Sequence, residues 1–177
     1  LETLKGGGPP DTRELTIELT AQMTLLAGVY ADPTEARREL AARLDDGRAL
    51  ECFCRMVRAQ GGDARVADDP RRLPQPGAVR EIPAPQDGIV ATVDAEKLGR
   101  VVLRLGGGRT VTTDEIDPAA GIDRLVQTGE RVEKGQPLMR LLAKNAACFD
   151  PLAAEAAAAV RITGEPVAER KLILENL

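Results

Sequence analysis

Apolar residues recur every three or four positions through the first third of the chain, and that rhythm predicts three helices. Over 12–27 the stripe is Leu15, Leu19, Met23 and Leu26, closed by Gly28. Over 33–46 Pro33 takes the first helical position, Ala36, Leu40 and Leu44 form the stripe, and Asp46-Gly47 ends it. Over 48–60 Leu50, Phe53, Cys54 and Val57 share a face that Gly61-Gly62 terminates. All three are expected to turn these faces toward the core of a larger body. Ahead of them Leu1, Leu4 and Lys5 fit the last turn of a helix, and a glycine break, a Pro-Pro stop and Asp11 as N-cap follow. The chain is expected to open inside a domain.

The rhythm stops at 68–85, where Pro70, Pro74, Pro76, Pro83 and Pro85 stand among Arg71, Arg72 and Gly77. That composition predicts an extended linker held on a surface. Beyond it the texture becomes short strands and turns: a strand at 88–93, a helix at 96–105 ending in Gly106-Gly107-Gly108, and a strand at 122–126. A turn at 128–136 leads into a strand at 137–142. Asp150-Pro151 is expected to cap an Ala-rich helix to about 160, and 171–174 to form a last strand. The predicted class is α+β, with helices over 1–67, the linker over 68–85 and a compact α+β module over 86–177.

Composition narrows the function classes. A chain of 177 residues, 43% hydrophobic and 29% charged, can bury one good core or two small ones. No apolar run reaches membrane-spanning length and no basic-apolar leader is present, so the expectation is a cytoplasmic protein without a membrane partner. A net charge of −4, no Trp, one Tyr and two Phe argue against a nucleic-acid partner. The three cysteines have no framework spacing, which fits a reducing compartment. Cys52 and Cys54 flank Phe53 on a helix, so their side chains point roughly 200° apart and read as buried structural thiols, not a metal pair. The chain contains no His, which removes the usual general base and the commonest zinc ligand.

Lys5-Gly6-Gly7-Gly8 before a helix invites a phosphate-cradle reading, because backbone N–H groups, a helix N-terminus and a lysine all attract anions. Pro9 and Pro10 remove two of those N–H groups and the Walker spacing is absent. A helix terminus contributes about 0.3–2 kcal/mol, whereas micromolar binding needs about 8 kcal/mol; the turn-and-cap reading is preferred. Gly106-Gly107-Gly108-Arg109 reads as a C-cap with close backbone packing, and Arg109 as an exposed cation. The acidic pairs Asp45-Asp46, Asp68-Asp69 and Asp114-Glu115 read as solvated charge at turns, without raised pKa values.

The segment Gly129-Glu130-Arg131-Val132-Glu133-Lys134-Gly135-Gln136-Pro137-Leu138 has the form G-[DE]-x-V-x-x-G-Q-x-L. It resembles the barrel-sandwich modules of biotinyl and lipoyl carriers, and that resemblance would make Lys144 the modified lysine. The Met-Lys-Met setting of a biotin site is missing, and an inserted helix separates the strand at Gly88 from Gly129. A swinging-arm carrier is the alternative reading, and a free-standing interaction module a third.

A larger set of segments resembles the C-terminal part of the thymidine and pyrimidine-nucleoside phosphorylases. The set opens with Glu2-Thr3-Leu4-Lys5-Gly6-Gly7-Gly8-Pro9-Pro10-Asp11-Thr12-Arg13-Glu14-Leu15. It continues with Asp45-Asp46-Gly47-Arg48-Ala49 and Arg55-Met56-Val57-Arg58-Ala59-Gln60-Gly61-Gly62. Asp87-Gly88-Ile89-Val90, Leu105-Gly106-Gly107-Gly108-Arg109, Asp114 through Ile122 and the Gly129 turn complete it, in order. The resemblance implies that 1–67 are the last helices of a phosphate-binding α/β domain and 86–177 the family's C-terminal, barrel-sandwich-like α+β module.

It further implies an enzyme that reversibly cleaves pyrimidine (deoxy)nucleosides with inorganic phosphate as co-substrate, for nucleoside salvage. The family's dimer-forming helical domain and its Lys-His-Ser-Thr-Gly-Gly phosphate loop are not among these residues. No catalytic, substrate-binding, phosphate-binding or metal-binding residue carries over, no cofactor is expected in this chain, and the chain alone is expected to be inactive. The parent enzyme is expected to be a homodimer. The resemblance does not separate thymidine-specific, broad pyrimidine and nucleoside-monophosphate phosphorylases.

Overall fold

The computed structural model describes residues 1–109, 111–168 and 171–173. These fall into two compact units, one of residues 1–73 joined by 171–173 and the other of residues 74–168.

The first unit is helical. A 3-10 turn over Thr3–Lys5 precedes α1 (Pro10–Leu26), α2 (Pro33–Asp45) and α3 (Arg48–Ala59), and two further 3-10 turns follow at Ala64–Ala67 and Pro70–Arg72. Asp32 caps α2 by accepting the Glu35 N–H at 2.6 Å, which satisfies one orphan donor of the first turn. Helix α1 starts two residues earlier than the sequence predicts. Pro10 opens it, since a proline at the first helical position has no N–H to waste, and Asp11 lies in the first turn instead of at the N-cap. Helix α2 packs against both α1 and α3.

The expected apolar stripe of α1 does not face this unit's interior. Leu15 is 37% exposed, Leu19 57%, Met23 67% and Leu26 81%, whereas Glu18 and Ala21 are buried. Ala21 and Ala36, both fully buried, offer small side chains at which helices can approach closely. The stripes of α2 and α3 behave as predicted in part: Ala36 and Leu44 are buried, and Leu50, Phe53, Cys54 and Val57 are half-buried.

The second unit carries two three-stranded antiparallel sheets. One has the order β1 (Ala78–Pro83), β5 (Pro137–Ala143), β3 (Gly121–Asp123); the other has β4 (Arg131–Val132), β2 (Gly88–Val93), β6 (Val160–Thr163). Helices α4 (Ala95–Val102) and α5 (Phe149–Ala158) pack against each other. The core draws Leu138, Met139 and Leu141 from β5, Val90 from β2, Val101 from α4, and Phe149 and Leu152 from α5. Strand β5 reads as a near-continuous apolar run because it is central, with neighbours on both edges. The helices beside the two antiparallel sheets are the α+β arrangement that the sequence predicts.

Four sequence-based boundaries are corrected. The Pro-rich stretch 68–85 is not a linker throughout, since β1 lies inside it and pairs with β5 from Ala78↔Ala143 to Ile82↔Met139. The strand expected at 122–126 ends at Asp123, because Arg124 takes φ 49° and turns the chain out of the ladder. The Ala-rich helix starts at Phe149, ahead of Asp150-Pro151, and stops at Ala158; Val160–Thr163 then pair with β2 as β6. Of the strand expected at 171–174, residues 171–173 are not in a strand, and Leu174 lies outside the described residues.

Candidate functional site

The glycine-rich opening is a helix stop. The Gly7 N–H donates to the Glu2 carbonyl at 3.0 Å and the Gly6 N–H to the Thr3 carbonyl at 3.1 Å, with Gly6 at φ 82°. This paired bonding is the Schellman closure, which needs a residue at positive φ and so favours glycine. The same pairing closes α1 at Gly28 and Val29, and α3 at Gly61 and Gly62. With two N–H groups spent in the cap and two prolines next in line, the loop has little left to offer an anion. Lys5 turns to Glu2, 3.6 Å away, and the Arg13 guanidinium reaches Asp45 at 2.9 Å.

The second glycine cluster is equally committed. The Gly106 carbonyl accepts the Asp117 N–H at 2.9 Å. A methyl group at Gly107 would lie 2.8 Å from Val102 Cγ1 and 3.0 Å from the Ala120 carbonyl oxygen, so close packing favours glycine there. Arg109 is exposed.

The G-[DE]-x-V-x-x-G-Q-x-L segment proves to be a set of turn locks around two core residues. The Glu130 carboxylate accepts the Gln127 N–H at 2.9 Å, and the Gln136 side-chain oxygen accepts the Glu133 N–H at 3.0 Å. Asp87 receives the Lys134 N–H at 2.6 Å. Val132 and Leu138 are 1% and 0% exposed. Every polar position of the motif named here holds backbone. Lys144 follows β5 and leads through a 3-10 turn, capped by Asn145, into α5. A carrier lysine needs a hairpin between two strands, and Lys144 has a helix on its far side.

Ionisable groups tell the same story. The Asp63 carboxyl is held down to about 2 by the side-chain and backbone N–H groups of Arg65. Asp46 is lowered by Arg48, Asp69 by Arg71 and Asp94 by the Lys97 N–H. Of the acidic pairs of the sequence, Asp45 pairs with Arg13, Asp46 with Arg48 and Asp69 with Arg71, and the Asp114 carboxylate accepts the Val111 N–H at 3.0 Å. A general acid requires a carboxyl raised toward neutrality by burial, and Asp46, Asp63, Asp69 and Asp94 are shifted the other way. Among the described residues no group of three His, Cys, Asp or Glu is placed to hold a metal ion, and no helix is long and apolar enough to cross a membrane.

Three of the clefts among the described residues bear on a binding site. One of about 600 Å³ in the helical unit is lined by Cys54, Arg58, Asp63 and Arg65, and the Asp63–Arg65 pair there is internally satisfied. Another of about 630 Å³ in the second unit lies beside Gly77, Gly106, Asp117 and Lys144, where one Asp117 oxygen already accepts the Ala119 N–H. The third, about 280 Å³, is apolar and opens between α1, α2 and α3, lined by Leu4, Ile17, Leu40, Leu44, Ala49 and Cys52. It adjoins the uncovered side of α1.

The rotation of α1 was not legible in the sequence. Glu18 and Arg37 form a two-pronged pair, with Arg37 Nε 2.6 Å from Glu18 Oε2 and Nη2 2.7 Å from Oε1, and Gln22 adds a third bond at 3.0 Å. These bonds hold the Glu18 carboxyl at about 2 against the opposing effect of burial. The pair turns Glu18 and Ala21 inward and Leu19, Met23 and Leu26 outward. Complete removal of a side chain of this size from water is worth at most about 1.5–3 kcal/mol. A carboxylate four residues after Glu14 gave no signal of its own; only the spacing of Glu18 to Gln22 marked that side of the helix.

Residues 89–163 match the family described as the pyrimidine nucleoside phosphorylase C-terminal domain. A pyrimidine-nucleoside phosphorylase of Bacillus subtilis (strain 168) is 39% identical over 96% of this chain, which covers 39% of that protein. The Geobacillus stearothermophilus pyrimidine-nucleoside phosphorylase is 36% identical over the whole chain, covering 41% of its own length. A thymidine phosphorylase of Burkholderia orbicola (strain MC0-3) is 40% identical over 86% of the chain, which spans 34% of it. The chain thus spans about two fifths or less of each of these relatives. On these matches the chain belongs to the thymidine and pyrimidine-nucleoside phosphorylase family, as a C-terminal portion.

Proposed function

We propose that this chain is the supporting C-terminal part of an enzyme that splits pyrimidine (deoxy)nucleosides with phosphate, giving the free base and a pentose 1-phosphate. The observation that carries the reading is the match over 96% of the chain to the Bacillus subtilis phosphorylase. In that reaction a phosphate oxygen attacks the anomeric carbon as the bond to the base nitrogen breaks, and its electron pair leaves with the base. The sugar passes through an oxocarbenium-like state, so catalysis rests on positioning phosphate and stabilising charge on the departing base.

The chain's own residues suit a different task. Its glycine loops close helices, its motif carboxylate and amide lock turns, and its Glu18 and Asp63 carboxyls are held down by arginine. A histidine-free chain with these commitments supports the α/β core and moves with it during domain closure, while residues outside the matched portion do the chemistry. The working enzyme is a homodimer of the cytoplasm that uses no cofactor beyond phosphate as co-substrate.

Two assays test this. The isolated chain, given thymidine or uridine with phosphate, should release no base. A chimera in which the chain replaces the matching C-terminal portion of the Bacillus subtilis enzyme should release base. Release by the isolated chain, or a folded chimera that releases none, would overturn the proposal.

A further inference from the structure

We draw no further inference here: the strongest candidate, the cleft of about 630 Å³ in the second unit beside Gly77, Gly106, Asp117 and Lys144, carries nothing, because no buried side-chain polar atom among the described residues is left without a partner to meet a ligand and nothing in the structure shows what would enter it.

Discussion

Glu18 of α1 and Arg37 of α2 face each other through two charge-assisted bonds of 2.6 and 2.7 Å, on a helix whose largest apolar side chains point the other way. Directed polar bonds here outweigh the hydrophobic preference for helix orientation. Because the carboxyl is largely desolvated, the pair resists competition from water that weakens exposed ion pairs.

The pair has a pH signature. The Glu18 carboxyl lies at about 2, below its ordinary value of 4.5, chiefly through the Arg37 bond. A lowered carboxyl pKa stabilises the fold above the unfolded-state value, and that stability is lost as pH falls from about 4.5 toward about 2. Glu18→Gln should cost about 1–2 kcal/mol at neutral pH and flatten the acid limb of the stability profile. Thermal unfolding of both proteins between pH 7 and pH 2 checks it, and parallel profiles would contradict it.

Two glycines should respond with opposite sign to the same substitution. A methyl group at Gly77 would sit 2.2 Å from the Lys144 carbonyl oxygen, which is backbone and cannot swing aside. Gly77→Ala should destabilise by about 1–3 kcal/mol. Gly99 lies within α4 with nothing within 4 Å of the added carbon, so Gly99→Ala should stabilise by about 0.5–1 kcal/mol through helix propensity. Urea denaturation measures both shifts.

Phe149 anchors α5. It is 1% exposed, and the Arg80 guanidinium lies 5.3 Å from its ring centroid. Phe149→Ala should cost about 3–5 kcal/mol, and Arg80→Ala much less, because Arg80 lies at the rim of the core. Equal midpoints for the two variants in chemical denaturation would show that the ring is not the anchor.

The cysteines should separate by reactivity. Cys52 and Cys54 are not the buried thiols the sequence suggests: Cys52 is exposed, Cys54 and Cys148 are half-buried, and the Cys148 thiol donates to the Asn145 carbonyl at 3.3 Å. Timed alkylation of the native chain should label Cys52 first and Cys148 later. Faster labelling at Cys148 would mean that the Asn145 turn opens readily.

Much of the backbone was legible because local chemistry dictates it. Glycines at 6, 28 and 61 announce helix stops that Schellman bonding then delivers. The Gly129 motif announced a turn entering a core strand, and its Glu130 and Gln136 provide the locks. Strand β6 was hidden by an alanine run that continues helical preference to its first residue, and only its pairing with β2 ends the helix in time. Strand β1 was hidden by the prolines around it, although Val79 and Ile82 carried strand-forming side chains.

The sequence by itself determined where the first three helices stop, the core-bearing strands β2 and β5 of the second unit, and the ordered motifs that resemble the family. These are properties of neighbouring residues, fixed by dihedral preference, periodicity and turn chemistry. Only the tertiary structure decided which side of α1 is buried. Periodicity marks an apolar stripe but does not say whether that stripe meets this chain's own helices. That choice was made by a carboxylate and a guanidinium 19 residues apart, whose bond exists only once α1 and α2 have packed.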